Sequence, residues 1–160
     1  MKLRTRMLAS LALTWVFGLG GEAAQTAGAA AGGAMGEIIA GEGKIEWADQ
    51  PGAWKPAAVG QKLKVGDSVR TGEFSRATLR LPAGSVLRID EFTTLRVQES
   101  LTSGKRATAV VSAGGVFLYS RSSPEEIDFA TPVATGAIKG TEVLIRVEPS
   151  GASSITVLEG

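Results

Sequence analysis

The chain has 160 residues, enough for one domain with its own core, and contains neither cysteine nor histidine. Those two absences exclude disulfides, thiolate nucleophiles, cysteine zinc sites and histidine-based acid–base or metal chemistry. The formal charge is +1, but taking Lys2, Arg4, Arg6 and Glu22 of the N-terminal leader out of 17 basic and 16 acidic residues leaves −1. A nearly neutral domain does not point to nucleic acid or an anionic membrane as partner.

Residues 1–30 read as a secretory signal peptide. Lys2, Arg4 and Arg6 form a positive start, residues 7–19 are a largely apolar run, and small residues follow, with Ala27-Gly28-Ala29 the best cleavage site. The run falls short of the ~20 residues a membrane span needs. Residues 31–36 are expected to be a flexible Ala/Gly tether, and residues 37–160 a single β domain. On this reading the mature protein is periplasmic or secreted and carries no membrane span.

The elements follow in order. Ile38-Ile39-Ala40 and Lys44-Ile45-Glu46-Trp47 are expected to be strands meeting at Gly41-Glu42-Gly43, with a loop over 49–56 around Trp54. Residues 60–71 hold two short strands joined by the turn Val65-Gly66-Asp67, and residues 72–75 turn again. Three near-copies then recur every eight residues: Leu79-Arg80-Leu81, Leu87-Arg88-Ile89 and Leu95-Arg96-Val97. Their period-2 alternation predicts buried leucines and exposed arginines. Lys64, Arg80, Arg88 and Arg96 would then form an outward basic ladder. Residues 99–106 are expected to be a hairpin tip, residues 108–112 and 116–120 two runs around Gly114-Gly115, and residues 121–126 a polar loop. Further strands are expected at 127–131, stopped by Pro132, at 134–138, and at 142–147 after the break Lys139-Gly140. Residues 154–158 close the chain with an edge open to a partner's strand or to weak self-association. No helical apolar stripe follows residue 36. The fold class is all-β, a twisted sheet, sandwich or β-solenoid of about ten to twelve short strands.

Chemistry-bearing constellations are sparse. The carboxylate pairs Asp90-Glu91 and Glu125-Glu126 sit in polar loops, where solvated turn residues are the better reading. No serine has a base at a telling spacing, and neither a phosphate-binding nor a calcium loop is present. The domain is therefore expected to be no enzyme and to need no cofactor. Two features remain as binding candidates: the basic ladder, and Trp47 with Trp54 flanking a proline-containing loop.

The punctuation of the chain resembles the FecR domain, a bacterial envelope module. The residues that carry the resemblance are Trp54 ahead of Gly60, Leu63 with Val65-Gly66-Asp67, Val69-Arg70-Thr71-Gly72, Ser75-Arg76-Ala77-Thr78-Leu79 and Pro82-Ala83-Gly84-Ser85. They continue with Gly114-Gly115-Val116, Thr131-Pro132, Ile138-Lys139-Gly140-Thr141-Glu142-Val143 and Val157-Leu158-Glu159-Gly160. The resemblance implies an all-β, somewhat solenoid-like twisted sheet and a protein-binding or ligand-sensing role outside the cytoplasm. Gly66, Asp67, Thr71, Gly72, Gly84, Ser85, Gly140 and Thr141 would be its motif turns. The founding sensor of the family has an anti-sigma segment and a membrane span ahead of this domain. Here a signal peptide leads into it, so the sigma-regulator role is not carried over. The family pattern also usually adds another strand after residue 160. The expected function is an exported, non-enzymatic binding or scaffold module engaging an envelope protein. A glycan or peptidoglycan held by Trp47 and Trp54 is the alternative.

Overall fold

In a computed structural model of the protein the described residues are 34–100, 107–119 and 126–159. The expected signal peptide, most of the hairpin tip and most of the 121–126 loop lie outside them. The strands are β1 (Gly36–Glu42), β2 (Ile45–Ala48), β3 (Lys55–Pro56), β4 (Lys62–Leu63), β5 (Ser68–Thr71), β6 (Arg76–Arg80) and β7 (Val86–Ile89). They continue as β8 (Thr94–Glu99), β9 (Ala107–Tyr119), β10 (Ile127–Ala130), β11 (Thr135–Ile138), β12 (Glu142–Val147) and β13 (Ser153–Glu159). The helical content among the described residues is one 3-10 turn, Pro82–Gly84. β1 begins at Gly36, inside the expected tether, where the Met35 N–H donates to Leu63 O at 2.8 Å.

The strands form one curled half-barrel sheet, antiparallel except where β9 meets β10. Its continuous path is β3-β2-β5-β8-β9-β7-β6-β1-β4, and β10 and β12 attach to the other side of β9, followed by β11 and β13. β9 is the spine. Its first half pairs with β8 on one side and, in parallel, with β10 on the other; its second half pairs with β7 and β12. The two runs expected around Gly114-Gly115 are thus one 13-residue strand. The reason is that the glycine pair bends the chain without reversing it, so ladder partners continue past the bend.

The curl brings two half-sheets face to face. Along one of them Ile38, Leu79, Leu87, Leu118 and Val143 stand in register across five strands, all essentially without solvent contact. Ala77, Ile89, Val116 and Ile145 form the next row. The other half contributes Val69, Leu95 and Val111, and Val97, Ala109 and Phe129, to the same cluster. Each fully buried leucine contributes about 1.5–3 kcal/mol of apolar transfer. The eight-residue repeat supplies the centre of this core, and Leu79, Leu87 and Leu95 are all buried as expected.

Besides its crossings from β3 to β4, β4 to β5 and β9 to β10, the chain passes between the halves at five corners: from β1 to β2, β5 to β6, β7 to β8, within β9, and from β11 to β12. Each corner holds one residue with left-handed φ: Gly43 (76°), Phe74 (49°), Phe92 (50°), Gly114 (86°) and Gly140 (69°). The first four corners lie side by side, because the strands entering and leaving them are ladder partners.

Candidate partner-binding surfaces

The motif turns hold the fold together. Gly66 has φ 94°, and Asp67, buried beside it, closes the turn by accepting the Lys64 N–H at 2.8 Å. The Asp67 carbonyl accepts the Val97 N–H at 2.9 Å, tying this turn to β8. Buried Thr71 donates its hydroxyl to Asp90 O and accepts the Thr93 N–H at 3.1 Å. Gly72 receives the Phe92 N–H on its carbonyl at 3.3 Å and gives its own to Lys44 O at 2.9 Å. Gly84 ends the 3-10 turn, and Ser85 behind it is buried. Gly140 and Thr141 form the β11–β12 corner, Gly140 exposed and Thr141 half-buried.

Ser75 and Thr93 are matched clasps in this seam. The Ser75 hydroxyl donates to Glu73 O at 2.8 Å and accepts the Lys44 N–H, next to Gly43, at 2.8 Å. The Thr93 hydroxyl lies 3.2 Å from Glu91 O and accepts the Gly115 N–H, next to Gly114, at 3.0 Å. A Cβ on Gly43 would sit 2.3 Å from Ser75 Oγ, and one on Gly114 2.4 Å from Thr93 Oγ1, so glycine is required at both by space as well as by φ.

Arg80, Arg88 and Arg96 are exposed, as expected, but they do not form a single ladder. Arg80 and Arg88 stand on β6 and β7 of one half, whereas Arg96 stands on β8 of the other. The corner between β7 and β8 falls inside the last eight-residue step and carries the third arginine across the fold. Arg96 donates its Nε–H to Gly66 O at 3.1 Å and so braces the β4–β5 turn.

Trp47 and Trp54 are both half-buried, Trp47 packing against the core. Each ring already carries a cation: Lys55 Nζ lies 5.2 Å from the Trp47 ring centre, and the Arg70 guanidinium 4.3 Å from that of Trp54. Arg70 also donates to Glu46 at 2.8 Å, and this hydrogen bond holds the Glu46 carboxyl below its ordinary range. Lys55 does the same for Asp49, and Lys62 for Glu37. A sugar stacking on these indoles must use the opposite faces or displace a resident cation.

Two further surfaces stand out, one expected from the sequence in part and one not. The first is the outer edge of β13. Among the described residues β13 pairs with β12 alone. Its register sets Val157 opposite Val143 and Ile155 opposite Ile145, so both point to the core side of the sheet. There the covering half ends, leaving Ile155, Val157 and neighbouring Leu158 42–62% exposed. The open edge was expected; the uncovered core face beside it was not. The second surface is the corner row, where Phe74 and Phe92 are exposed. A signal for it exists in the repeat Glu73-Phe74-Ser75 and Glu91-Phe92-Thr93, eighteen residues apart and overshadowed by the stronger eight-residue step. Among the described residues no three acidic or histidine side chains converge to hold a metal ion, and no helix is long and apolar enough to cross a membrane.

Comparison with known proteins gives one match. The family model described as "FecR protein" matches residues 67–160, taking in both Phe-bearing corners, the β9 spine and β13. No curated protein and no solved structure matches the chain. The family match spans more than half of the sequence, and the corner seam gives the shared punctuation its physical role: the chain belongs to the FecR family.

Proposed function

We propose that this chain is an exported, non-catalytic module of the bacterial cell envelope, and that it senses or scaffolds by taking a protein partner's strand onto the outer edge of β13. The observation that carries the reading is the β13 edge itself. Its outer N–H and C=O groups, without a ladder partner among the described residues, lie beside exposed Ile155, Val157 and Leu158, which offers both backbone pairing and alternating apolar contacts. Membership of the FecR family supports an envelope-related sensing or regulatory role. The leader of residues 1–30 supports export, and a sequence without histidine or cysteine supports a binding role over a catalytic one.

The test places a photocrosslinking residue at Val157 of the full chain in its native envelope, with exposed Ala53 as control. One discrete crosslinked protein from Val157, absent from Ala53, is expected. With that protein purified, hydrogen exchange at alternate amides of residues 154–158 should slow on mixing. If those amides are already protected in the isolated monomer and do not respond, the edge is closed and the reading fails.

A further inference from the structure

The corner row presents two exposed aromatic rings on strained backbone. Phe74 and Phe92 hold φ of 49° and 50°, a conformation unfavourable for bulky side chains, and are 81% and 62% exposed. Their two corners touch: the Phe92 N–H reaches Gly72 O at 3.3 Å, and the Phe74 N–H reaches the Glu91 carboxylate at 2.9 Å. Stability does not account for the rings, since asparagine fits a left-handed corner better and neither ring belongs to the core cluster. Large aromatics held at a backbone cost and shown to solvent mark a recognition surface.

Phe74 opens onto a groove of about 880 Å³ between the corner row and the β12–β13 turn. Glu42, Asp90, Glu91 and Glu148 line it against Arg76 and Arg146, and Arg76 is already paired with Glu42 at 3.3 Å. Glu73, exposed on the Phe74 corner, adds to the negative excess. Phe74 in these acidic surroundings, with Phe92 exposed on the adjoining corner, matches a segment whose basic residues alternate with apolar ones, the cations resting on ring faces and beside carboxylates. The same charge disfavours an anionic lipid surface. We propose that this groove docks a lysine- or arginine-rich apolar segment of a partner protein, at a site separate from the β13 edge.

The probe is a fluorescein-labelled peptide of alternating lysine and leucine, titrated into the full chain, with a glutamate–leucine peptide as control. Salt-sensitive binding of the lysine peptide alone is expected. Phe74→Asn combined with Phe92→Asn should weaken it at least about tenfold, while the melting temperature holds or rises because asparagine suits the left-handed corners. Glu73→Lys, at a side chain with no hydrogen bond among the described residues, should weaken it without touching the rings. Unchanged affinity in the double variant overturns the proposal. So does a lower melting temperature for that variant, which makes the rings structural. Phe-dependent binding to phosphatidylglycerol vesicles, or Phe-dependent dimerisation in sedimentation equilibrium without binding of the lysine peptide, overturns it in favour of a membrane or a second copy.

Discussion

Alanine at Gly114 and at Gly140 separates a packed seam from a merely bent backbone. Both glycines are left-handed, at 86° and 69°. Any L-residue in that conformation costs roughly 1–2 kcal/mol, offset by the smaller entropy of the unfolded chain, about 0.4–1 kcal/mol. An added Cβ at Gly140 meets nothing within 4 Å, so Gly140→Ala should destabilise by about 1 kcal/mol or less. At Gly114 the same Cβ would lie 2.5 Å from Thr93 Cα and 2.8 Å from Phe92 O. Both are backbone atoms, and no rotamer moves them away. The corners must part, which breaks the 3.0 Å bond from the Gly115 N–H to Thr93 Oγ1 and leaves a buried donor unpaired. That loss adds about 1–3 kcal/mol, so with the same entropy offset Gly114→Ala should cost about 1–4.5 kcal/mol in all. Urea denaturation of both variants against wild type, with unchanged m values, measures the difference. Costs equal within about 0.5 kcal/mol would refute the close packing of adjacent corners.

Three more outcomes are expected. Leu87→Ala, at a site with no solvent exposure, should cost about 2–5 kcal/mol, whereas Arg88→Ala on the opposite face should cost under about 1; equal urea midpoints would contradict the alternation. The carboxyls of Glu37, Glu46 and Asp49 are held below their ordinary values, near 4.5 for glutamate and 3.8 for aspartate, chiefly by hydrogen bonds from Lys62, Arg70 and Lys55. A depressed carboxyl stabilises above its unfolded value and loses that contribution as pH falls through the folded one. The melting temperature at low salt should therefore drop below about pH 4.5, and less steeply in Glu46→Gln. Finally, N-terminal sequencing of the envelope form should begin between Ala24 and Gly36; an intact Met1 in a cytoplasmic fraction would count against export.

The parts of the fold that were legible are those governed by short-range alternation. Leu79, Leu87 and Leu95 sit on strands whose period-2 pattern holds within each strand, so burial followed from local sequence alone. What stayed hidden is the choice of half-sheet at each corner. Arg88 and Arg96 are separated by Asp90-Glu91-Phe92-Thr93, a string that reads equally as a hairpin turn or a corner, and only the ladder partners of β8 decide between them. Gly114-Gly115 posed the same ambiguity inside β9. Phe74 and Phe92 were invisible for a different reason: an aromatic in a strand-rich sequence is ordinarily assigned to the core, and nothing local announces a left-handed φ at a bulky residue.

The two clasps also explain how the strained phenylalanines persist. Such a conformation survives where neighbouring bonds over-determine the backbone. Each phenylalanine is followed by a hydroxyl residue tied to its own corner carbonyl and to the next corner's N–H. Each also commits its own N–H across the seam, Phe74 to Glu91 and Phe92 to Gly72. The arrangement has approximate two-fold character, because β5 pairs with β8 and β6 with β7, so the two corners run in opposite directions. The rings therefore stand on fixed backbone, and a partner docking on them orders little more than side chains, which lowers the entropic cost of binding. The seam that closes the half-barrel is thus also the rigid mount for its most exposed aromatic surface.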